Sequence, residues 1–168
     1  RDIEKGIEIH DEIRRRGMLW NDVVLGSALL DMYAKCGFIE ESQDLFDYLP
    51  TRDVVAWNTL ISGYMEHGDS EEALKCLVQM QEERVSPNEI TYVSSLKACG
   101  NLGDLEKGRV LHADVQGFLQ GDVVLGNALV DMYVKCGDLS KAQEVLQGLP
   151  ERNVISWSSL IAGYAQQG

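Results

Sequence analysis

The side chains best suited to covalent or metal chemistry are cysteines and histidines, and their spacing forms no recognisable reactive group. Structural zinc sites and dithiol redox sites use cysteines in a C-x-x-C arrangement. No such pair occurs among Cys36, Cys76, Cys99 and Cys136. No second ligand stands at metal-binding spacing from His10, His67 or His112. We therefore predict no metal site and no cofactor, cysteines that are small buried residues in a reducing compartment, and structural or solvated histidines.

Enzyme signatures are also missing from the sequence. A zinc deaminase needs H-x-E followed by P-C-x-x-C, and a phosphate cradle needs a glycine-rich loop after a strand. Neither pattern is present. Acidic pairs such as Glu71-Glu72 fit solvated helix faces better than paired catalytic carboxylates. The sequence predicts a protein that is not an enzyme and has no small-molecule substrate.

Amide and hydroxyl side chains are the remaining candidates for recognition chemistry. Asparagine carries a donor and an acceptor, so it can pair with a pyrimidine edge, and a serine hydroxyl can donate to or accept from a purine. Such side chains stand at matching places in repeated segments, at Ser27, Asn58, Asn127 and Ser158. Asn58 and Asn127 have a second interpretation, as helix-start residues that satisfy backbone groups.

An internal repeat positions these side chains. DVVLGSALLDMYAKCG at 22–37 returns as DVVLGNALVDMYVKCG at 122–137, and VVAWNTLISGYMEHG at 54–68 returns as VISWSSLIAGYAQQG at 154–168. DIEKG at 2–6 returns as DLEKG at 104–108. Repeats of this kind are typical of stacked supersecondary units, each too small to bury its apolar face alone.

Apolar spacing within each unit predicts pairs of α-helices. Leu29, Met32, Tyr33 and Cys36 follow helical spacing, and no period-two strand pattern occurs. The helix ends are predicted by Gly37, Gly68, Gly103 and Gly137, and second helices follow at 39–47, 69–83, 104–116 and 139–147. Pro50, Pro87 and Pro150 are predicted to stop those second helices. The expected fold is all-α, a right-handed α-solenoid of about five helix-turn-helix repeats.

Composition limits the function classes. The formal net charge of −12 argues against holding nucleic acid by bulk electrostatics, although a locally basic groove remains compatible with it. No apolar run is long enough to span a membrane, so no membrane partner is expected. The chain begins RDIEK inside an amphipathic stretch, without the pattern of a signal or transit peptide, and so resembles an internal fragment.

These motifs resemble the pentatricopeptide repeat family of plants, in its variant with mixed P, L and S motifs. The similarity rests on DMYAKCG, AWNTLISGY, TYVSSLKACGNLGDLEKG and the endings LPTRD and LPERN. The resemblance divides the chain into the second half of an L motif at 1–22, an S motif at 23–53, a P motif at 54–88, an L motif at 89–122, an S motif at 123–153 and the first half of a P motif at 154–168.

In that family one repeat reads about one base of single-stranded RNA. The resemblance implies that the fifth and last residues of each motif recognise the base, here Ser27 with Asp53, Asn58 with Asn88, Asn127 with Asn153, and Ser158. The implied bases are guanine, pyrimidine, any base, pyrimidine and purine, read 5′ to 3′. Val93, at the fifth position of the complete L motif, has no donor or acceptor, so no direct reading is expected there.

The resemblance also assigns stacking and phosphate contacts. The second residue of each motif would wedge between bases: Val24, Val55, Ile90, Val124 and Ile155. Lys35 and Lys135, at the thirteenth position, would reach phosphates, although Asp31 and Asp131 on the same stripe would repel them. Trp57 and Trp157, and the tyrosines at 33, 64, 133 and 164, are predicted to be core residues and not base platforms.

The resemblance implies a sequence-selective single-stranded RNA-binding tract, the site-recognition part of a mitochondrial or chloroplast cytidine-to-uridine editing factor. Small accessory editing factors docking on the L motif are further implied partners. The alternative is a protein-binding scaffold like the tetratricopeptide solenoids, which do not use the pairing of fifth and last residues.

Overall fold

The computed structural model describes residues 3–20, 22–119 and 122–167. The chain divides into two compact units, Arg1–Pro87 and Asn88–Gly168. The described residues form α-helices joined by short turns, without a β-strand. None of the helices in these ranges is long and apolar enough to cross a membrane. The predicted all-α fold is confirmed.

The first unit contains five α-helices and one 3₁₀ turn in its described residues, 3–20 and 22–87. They are α1 (Ile3–Arg15), the 3₁₀ turn Met18–Trp20, α2 (Val23–Cys36), α3 (Ile39–Tyr48), α4 (Val54–Glu66) and α5 (Ser70–Glu82). Helix α2 packs against α3 and α4, and α4 packs against α5. Each helix therefore touches its partner in the hairpin or the corresponding helix of the next hairpin, as expected for stacked units.

The second unit repeats this arrangement with five helices in its described part. They are α6 (Glu89–Leu102), α7 (Leu105–Val115), α8 (Val123–Lys135), α9 (Leu139–Gly148) and α10 (Val154–Gln167). Helix α8 contacts α6, α9 and α10. The apolar side chains that these contacts remove from water form the core, and the largest fully buried ones are Leu96, Leu125, Leu129, Met132, Tyr133 and Leu146.

Glycines end the first helix of each hairpin, as predicted. Gly37, Gly68, Gly103 and Gly137 have φ values of 95°, 81°, 68° and 82°. These values lie in the left-handed region, where a Cβ atom would be strained. At Gly37 the backbone N–H donates to Ala34 O, and the next N–H, of Phe38, donates to Tyr33 O. This pair of bonds satisfies carbonyls at the helix end and turns the chain into α3.

The prediction that proline stops every second helix is right in two places and wrong in one. Helices α3 and α9 end two residues before Pro50 and Pro150. Helix α5 ends at Glu82, well before Pro87. Its stop is Arg84, which has a φ of 60°, with the Val85 N–H donating to Met80 O at 3.0 Å. A residue in the left-handed conformation therefore ends this helix before the chain reaches Pro87.

Trp57 is a core residue, as predicted, whereas Trp157 is not. Trp57 is 1% exposed and meets Phe46 edge-on, with ring centroids 4.5 Å apart. Trp157, one hundred positions later, is 47% exposed. The difference follows from the neighbouring elements, because α5 packs on α4 and no described helix follows α10 to cover it in the same way.

The tyrosines divide in the same way. Tyr33 and Tyr133 are buried, as predicted, and Tyr64 is half-buried, with its hydroxyl donating to Gln43 Oε1. Tyr164 is 50% exposed, so its prediction as a core residue is wrong. It lies on α10, and its hydroxyl donates to Gln143 Oε1 on α9 at 3.0 Å.

The cysteines are free thiols, and two of the four are buried. Burial raises the pKa of Cys76 and of Cys99 to about 12, so both are protonated and act as small apolar residues. Cys36 and Cys136 are half-buried, which differs from the prediction of full burial. The sulfur of Cys136 lies 3.8 Å from Met132 Sδ.

Two histidines make the same hydrogen bond in the two units. His10 Nδ1 lies 2.8 Å from the Tyr33 hydroxyl, and His112 Nδ1 lies 2.8 Å from the Tyr133 hydroxyl. Both ring pairs meet edge-on, with centroids 5.6 and 5.5 Å apart. His67 Nε2 bonds Ala34 O at 3.0 Å. The prediction of structural histidines is confirmed.

Because of His10 and His112, we expect the free energy of unfolding to fall on acidification. Burial lowers the pKa of His10 and of His112 below the ordinary 6.5. Below pH 6.5 the unfolded chain takes up protons that the folded chain does not bind, so the free energy of unfolding falls until the folded pKa values are passed. Urea unfolding at pH 7.5 and pH 5.5 measures this change. We expect the His10→Gln/His112→Gln variant to lose less stability than the parent chain over this range, and an equal loss would contradict the assignment.

Candidate nucleic-acid interface

The last residue of each proposed motif caps the next first helix. Helices α2, α4, α6, α8 and α10 begin at Val23, Val54, Glu89, Val123 and Val154, and the residue before each carries the capping oxygen. The side-chain Oδ1 accepts from the backbone N–H three residues on, at 2.9 Å for Asp53 to Ala56 and 3.0 Å for Asn153 to Ser156. Capping therefore occupies Oδ1 of each of these side chains.

This placement settles the alternative interpretation of Asn58 and Asn127. The structure gives the helix-start positions to Asp53 and Asp122, and both asparagines lie one turn further along their helices. The interpretation of Asn58 and Asn127 as helix caps is therefore wrong. Their side chains serve some other purpose than satisfying the first backbone N–H groups.

In the second unit, the proposed recognition pair Asn127 and Asn153 meets at a buried hydroxyl. Ser156, on the first turn of α10, is fully buried. Its Oγ lies 2.5 Å from Asn127 Oδ1 and 3.0 Å from Asn153 Oδ1, and it accepts from the Asn153 backbone N–H at 3.3 Å. The fold thus joins a side chain of α8 and the cap of α10 in one hydrogen-bonded cluster. We call these three residues the Asn–Ser–Asn cluster.

Sequence reasoning missed Ser156, although a signal was present. A hydroxyl residue stands three positions after a motif-ending asparagine in two places, Thr91 after Asn88 and Ser156 after Asn153. Thr91 and Asn88 form a complete capping box, in which each side chain bonds the other's backbone N–H. The spacing reveals the caps, but only the packing of α8 on α10 shows that the Ser156 hydroxyl also reaches Asn127.

The proposed pair in the first unit has a different environment. Ser27 on α2 is 8% exposed, and its Oγ has no hydrogen-bond partner among the described residues. Ala56 occupies the position that corresponds to Ser156 and supplies no hydroxyl. Asp53 caps α4 through the Ala56 N–H. A buried hydroxyl without a partner is costly, so the first unit lacks the satisfied hydrogen bonds that the second unit has at Asn127 and Asn153.

The other proposed positions lie on the same stretch of their helices. Asn58 is 8% exposed on α4, and Val93 is half-buried on α6. Ser158 is exposed on α10, and its hydroxyl bonds its own helix, at 2.7 Å to Val154 O and 3.0 Å to Ile155 O. Donating to a base therefore requires the Ser158 hydroxyl to leave those carbonyls, whereas its oxygen can accept from a base without doing so.

The proposed wedge residues share an unusual exposure. β-Branched apolar side chains stand on the first turns of the five first helices with exposed fractions from 53% to 79%: Val24, Val55, Ile90, Val124 and Ile155. Each is stiff at χ1, so holding a flat partner against it costs little side-chain entropy. Recurrence of an exposed apolar residue at one motif position indicates a surface that contacts a ligand.

The proposed phosphate-binding lysines are paired with carboxylates on their own helices. Lys35 Nζ lies 2.8 Å from Asp31 Oδ2, and Lys135 Nζ lies 3.0 Å from Asp131 Oδ2. Lys135 also donates to Asn101 Oδ1 at 3.2 Å. An anion would therefore have to compete with a neighbouring carboxylate for each ammonium group.

Family models and sequence relatives match the repeated segments of this chain. A profile described as PPR repeat family matches residues 52–101, and one described as PPR repeat matches residues 27–54, 127–154 and 155–168. The chain is 40% identical over 172 residues to a chloroplastic pentatricopeptide repeat-containing protein of Arabidopsis thaliana, covering 100% of this chain and 32% of that protein. It is 41% identical over 167 residues to a putative mitochondrial one from the same plant, covering 97% of this chain and 27% of that protein. The chain therefore spans about a third or less of these relatives' length.

Solved structures show the same helical arrangement. The crystal structure of the maize pentatricopeptide repeat protein PPR10 matches with a TM-score of 0.73 at 22% identity, over 94% of this chain and 24% of that one. PPR10 in complex with an 18-nt psaJ RNA element matches with a TM-score of 0.66 at 26% identity, over 86% of this chain and 22% of that one. The first match supports the α-solenoid of helical repeats, and the second is a protein seen with bound RNA.

Proposed function

We propose that this chain, which belongs to the pentatricopeptide repeat family, is a sequence-selective single-stranded RNA-binding tract that reads about one base per repeat. The RNA-bound relative supports the class of ligand. The observation that carries the proposal is the Asn–Ser–Asn cluster, where the fifth residue of one proposed motif and its last residue share one buried hydroxyl. A side chain that reads a base needs donors and acceptors in fixed positions. With the wrong base, a polar group at the buried contact is left without a partner, and this is costly.

The base order of the proposal follows the motif division. An L-S-P-L-S-P order, with the boundaries given above, places guanine at Ser27 and Asp53 and pyrimidines at Asn58 with Asn88 and at Asn127 with Asn153. Val93 leaves its base unread because the side chain has no polar atom. Ser158 favours a purine. The five exposed wedge residues then separate successive bases by apolar contact.

The wider role is a proposal about the longer protein. We infer that the tract selects the site for a cytidine-to-uridine editing factor in a mitochondrion or chloroplast, and that its L motif is where small accessory factors dock. Relatives named as chloroplastic and mitochondrial support an organelle. In this proposal the repeats select RNA and leave catalysis to another domain or partner.

Electrostatics sets the expected strength of RNA binding. The net charge is −12, and both proposed phosphate-binding lysines are engaged with aspartates. Counterion release therefore contributes little, and the base contacts carry most of the selectivity. The same charge balance favours the alternative function, a scaffold whose partner is a protein.

A titration at low salt tests the RNA-binding proposal. The probe is a short single-stranded RNA carrying guanine-pyrimidine-any-pyrimidine-purine, and the comparison RNA has guanine and pyrimidines exchanged. We expect tighter binding to the first, with Asn58→Ala/Asn127→Ala weakening it by about thirtyfold, because each of the two lost base contacts is worth about 1 kcal/mol.

A matched control removes two exposed amides from second helices, Gln79→Ala/Gln147→Ala, and should bind as the parent chain does. Equal affinity for both RNAs would contradict base reading. Absence of binding to either RNA with the helical content intact would instead favour the protein scaffold.

A further inference from the structure

Ser156 is the one member of the Asn–Ser–Asn cluster to which the motif assignments give no role. It occupies the third helical position of α10, is fully buried, and belongs to neither the fifth nor the last position of a motif. A buried side-chain hydroxyl is retained where its hydrogen bonds are satisfied. Here its nearest partner is the side chain of Asn127, on another helix.

The hydrogen atoms of the cluster can be assigned from its distances. The Ser156 Oγ to Asn127 Oδ1 distance of 2.5 Å suits an O–H···O bond and is shorter than N–H···O bonds. The Ser156 hydroxyl therefore donates to Asn127, and it accepts from the Asn153 N–H. Asn153 Oδ1 is already engaged as acceptor from the Ser156 N–H. The single hydroxyl proton thus has Asn127 as its main acceptor.

We propose that Ser156 is a specificity-determining positioning residue, which holds Asn127 Oδ1 inward and so presents the Asn127 Nδ2 donors to the base. The proposal rests on the RNA-binding function proposed above. An asparagine amide without such a partner can rotate by half a turn and present its oxygen instead. Ser156 favours one orientation, because its hydroxyl proton bonds the Asn127 oxygen at 2.5 Å, whereas with the amide rotated that proton would have only Asn153 Oδ1, at 3.0 Å.

The orientation of this amide decides between cytosine and guanine. Cytosine offers the N3 acceptor at the centre of its Watson–Crick edge, which an Asn127 N–H can bond. Guanine offers the N1–H donor at the same place, which would meet the Asn127 N–H donor unfavourably. A rotated amide, with its oxygen outward, would accept guanine. The Ser156 hydroxyl therefore acts on base choice while it touches no base.

The same two residue types, an asparagine at the fifth position of one motif and a hydroxyl residue at the third position of the next, occur together elsewhere in the sequence. Thr91 stands at the third position of the motif that follows the one carrying Asn58. Ala56 stands at the third position of the motif that follows the one carrying Ser27. Thr91 is fully buried, as Ser156 is, so threonine fits at this place in a first helix. A serine at the fifth position has a rotating hydroxyl and no amide to orient, which fits the lack of a hydroxyl at Ala56.

The test compares this chain with its Ser156→Ala and Ser156→Thr variants. Each is titrated with two RNAs that differ at one position, the one assigned to Asn127, where one RNA has cytosine and the other has guanine. We expect Ser156→Ala to reduce the cytosine-over-guanine preference there by about three- to tenfold, the value of one hydrogen bond of the neutral kind. Ser156→Thr should restore the preference. The guanine preference at the position assigned to Ser27 should stay unchanged in both variants.

A second readout does not depend on RNA. The side-chain NH₂ resonances of Asn127 are identified by their loss in Asn127→Ala. In Ser156→Ala these resonances should shift, and their protons should exchange faster with water. Thermal unfolding shows whether Ser156→Ala still folds. If the parent chain prefers cytosine and Ser156→Ala keeps that preference, the positioning role is wrong while RNA binding stands. If the parent chain shows no base preference, both the base-reading function and the positioning role of Ser156 are wrong.

Discussion

Replacing Trp57 with alanine should lower the free energy of unfolding by about 3–5 kcal/mol. The indole is 1% exposed, meets the Phe46 ring edge-on at 4.5 Å and lies in the helix that α2 and α5 both contact. Alanine would leave a cavity that the surrounding helices cannot fill without moving. Urea unfolding followed by circular dichroism measures the loss, with the first unit expected to unfold before the second because the cavity lies in the first unit.

The chain supplies its own control for this variant. Trp157 occupies the matching repeat position and is 47% exposed, so Trp157→Ala should cost less than about 1 kcal/mol. Trp57→Phe should also be mild, because it keeps a ring against Phe46 and removes the Nε1–H, which has no partner in the described part of the chain. Equal losses for Trp57→Ala and Trp157→Ala would contradict the assignment of Trp57 to the core.

Removing the carboxylates beside the two lysines should strengthen RNA binding by about tenfold. In Asp31→Asn/Asp131→Asn the ammonium groups of Lys35 and Lys135 no longer share their charge with a partner 2.8–3.0 Å away. A carboxylate about 6 Å from a phosphate repels it by about 0.7 kcal/mol even at the dielectric constant of water, so two removals give about 1.4 kcal/mol. The slope of log affinity against log salt should also become steeper, by about 0.7 for each new phosphate contact.

A control with the same change in net charge separates local from general electrostatics. Glu71 and Glu106 pair with Lys75 and Arg109 on second helices, in the same manner as the aspartates pair on first helices. We expect Glu71→Gln/Glu106→Gln to change affinity by less than about threefold, because solvent and salt screen charges more than a Debye length from the RNA. If both double variants bind equally well, the lysines have no special place in the interface.

Much of the fold was readable in the amino-acid pattern, because each hairpin is formed by local interactions. Gly37, Gly68, Gly103 and Gly137 mark helix ends through a backbone geometry that other residues rarely adopt. The i, i+4 pairs of Asp31 with Lys35 and Asp131 with Lys135 were equally readable, since residues four apart share one helix face. The end of α5 was not, because Arg84 enters the left-handed region without a glycine to announce it.

The sequence alone determined the repeat, the helix pairs and the positions that recur on one face of each first helix, since these depend on spacing along a single chain segment. Tertiary structure decided that Trp57 is core, because α2 and α5 both pack against its helix. It also decided that the Ser156 hydroxyl meets Asn127, twenty-nine positions away in the chain. That contact exists only because α8 and α10 pack side by side, and no local pattern encodes the distance between atoms on two separate helices.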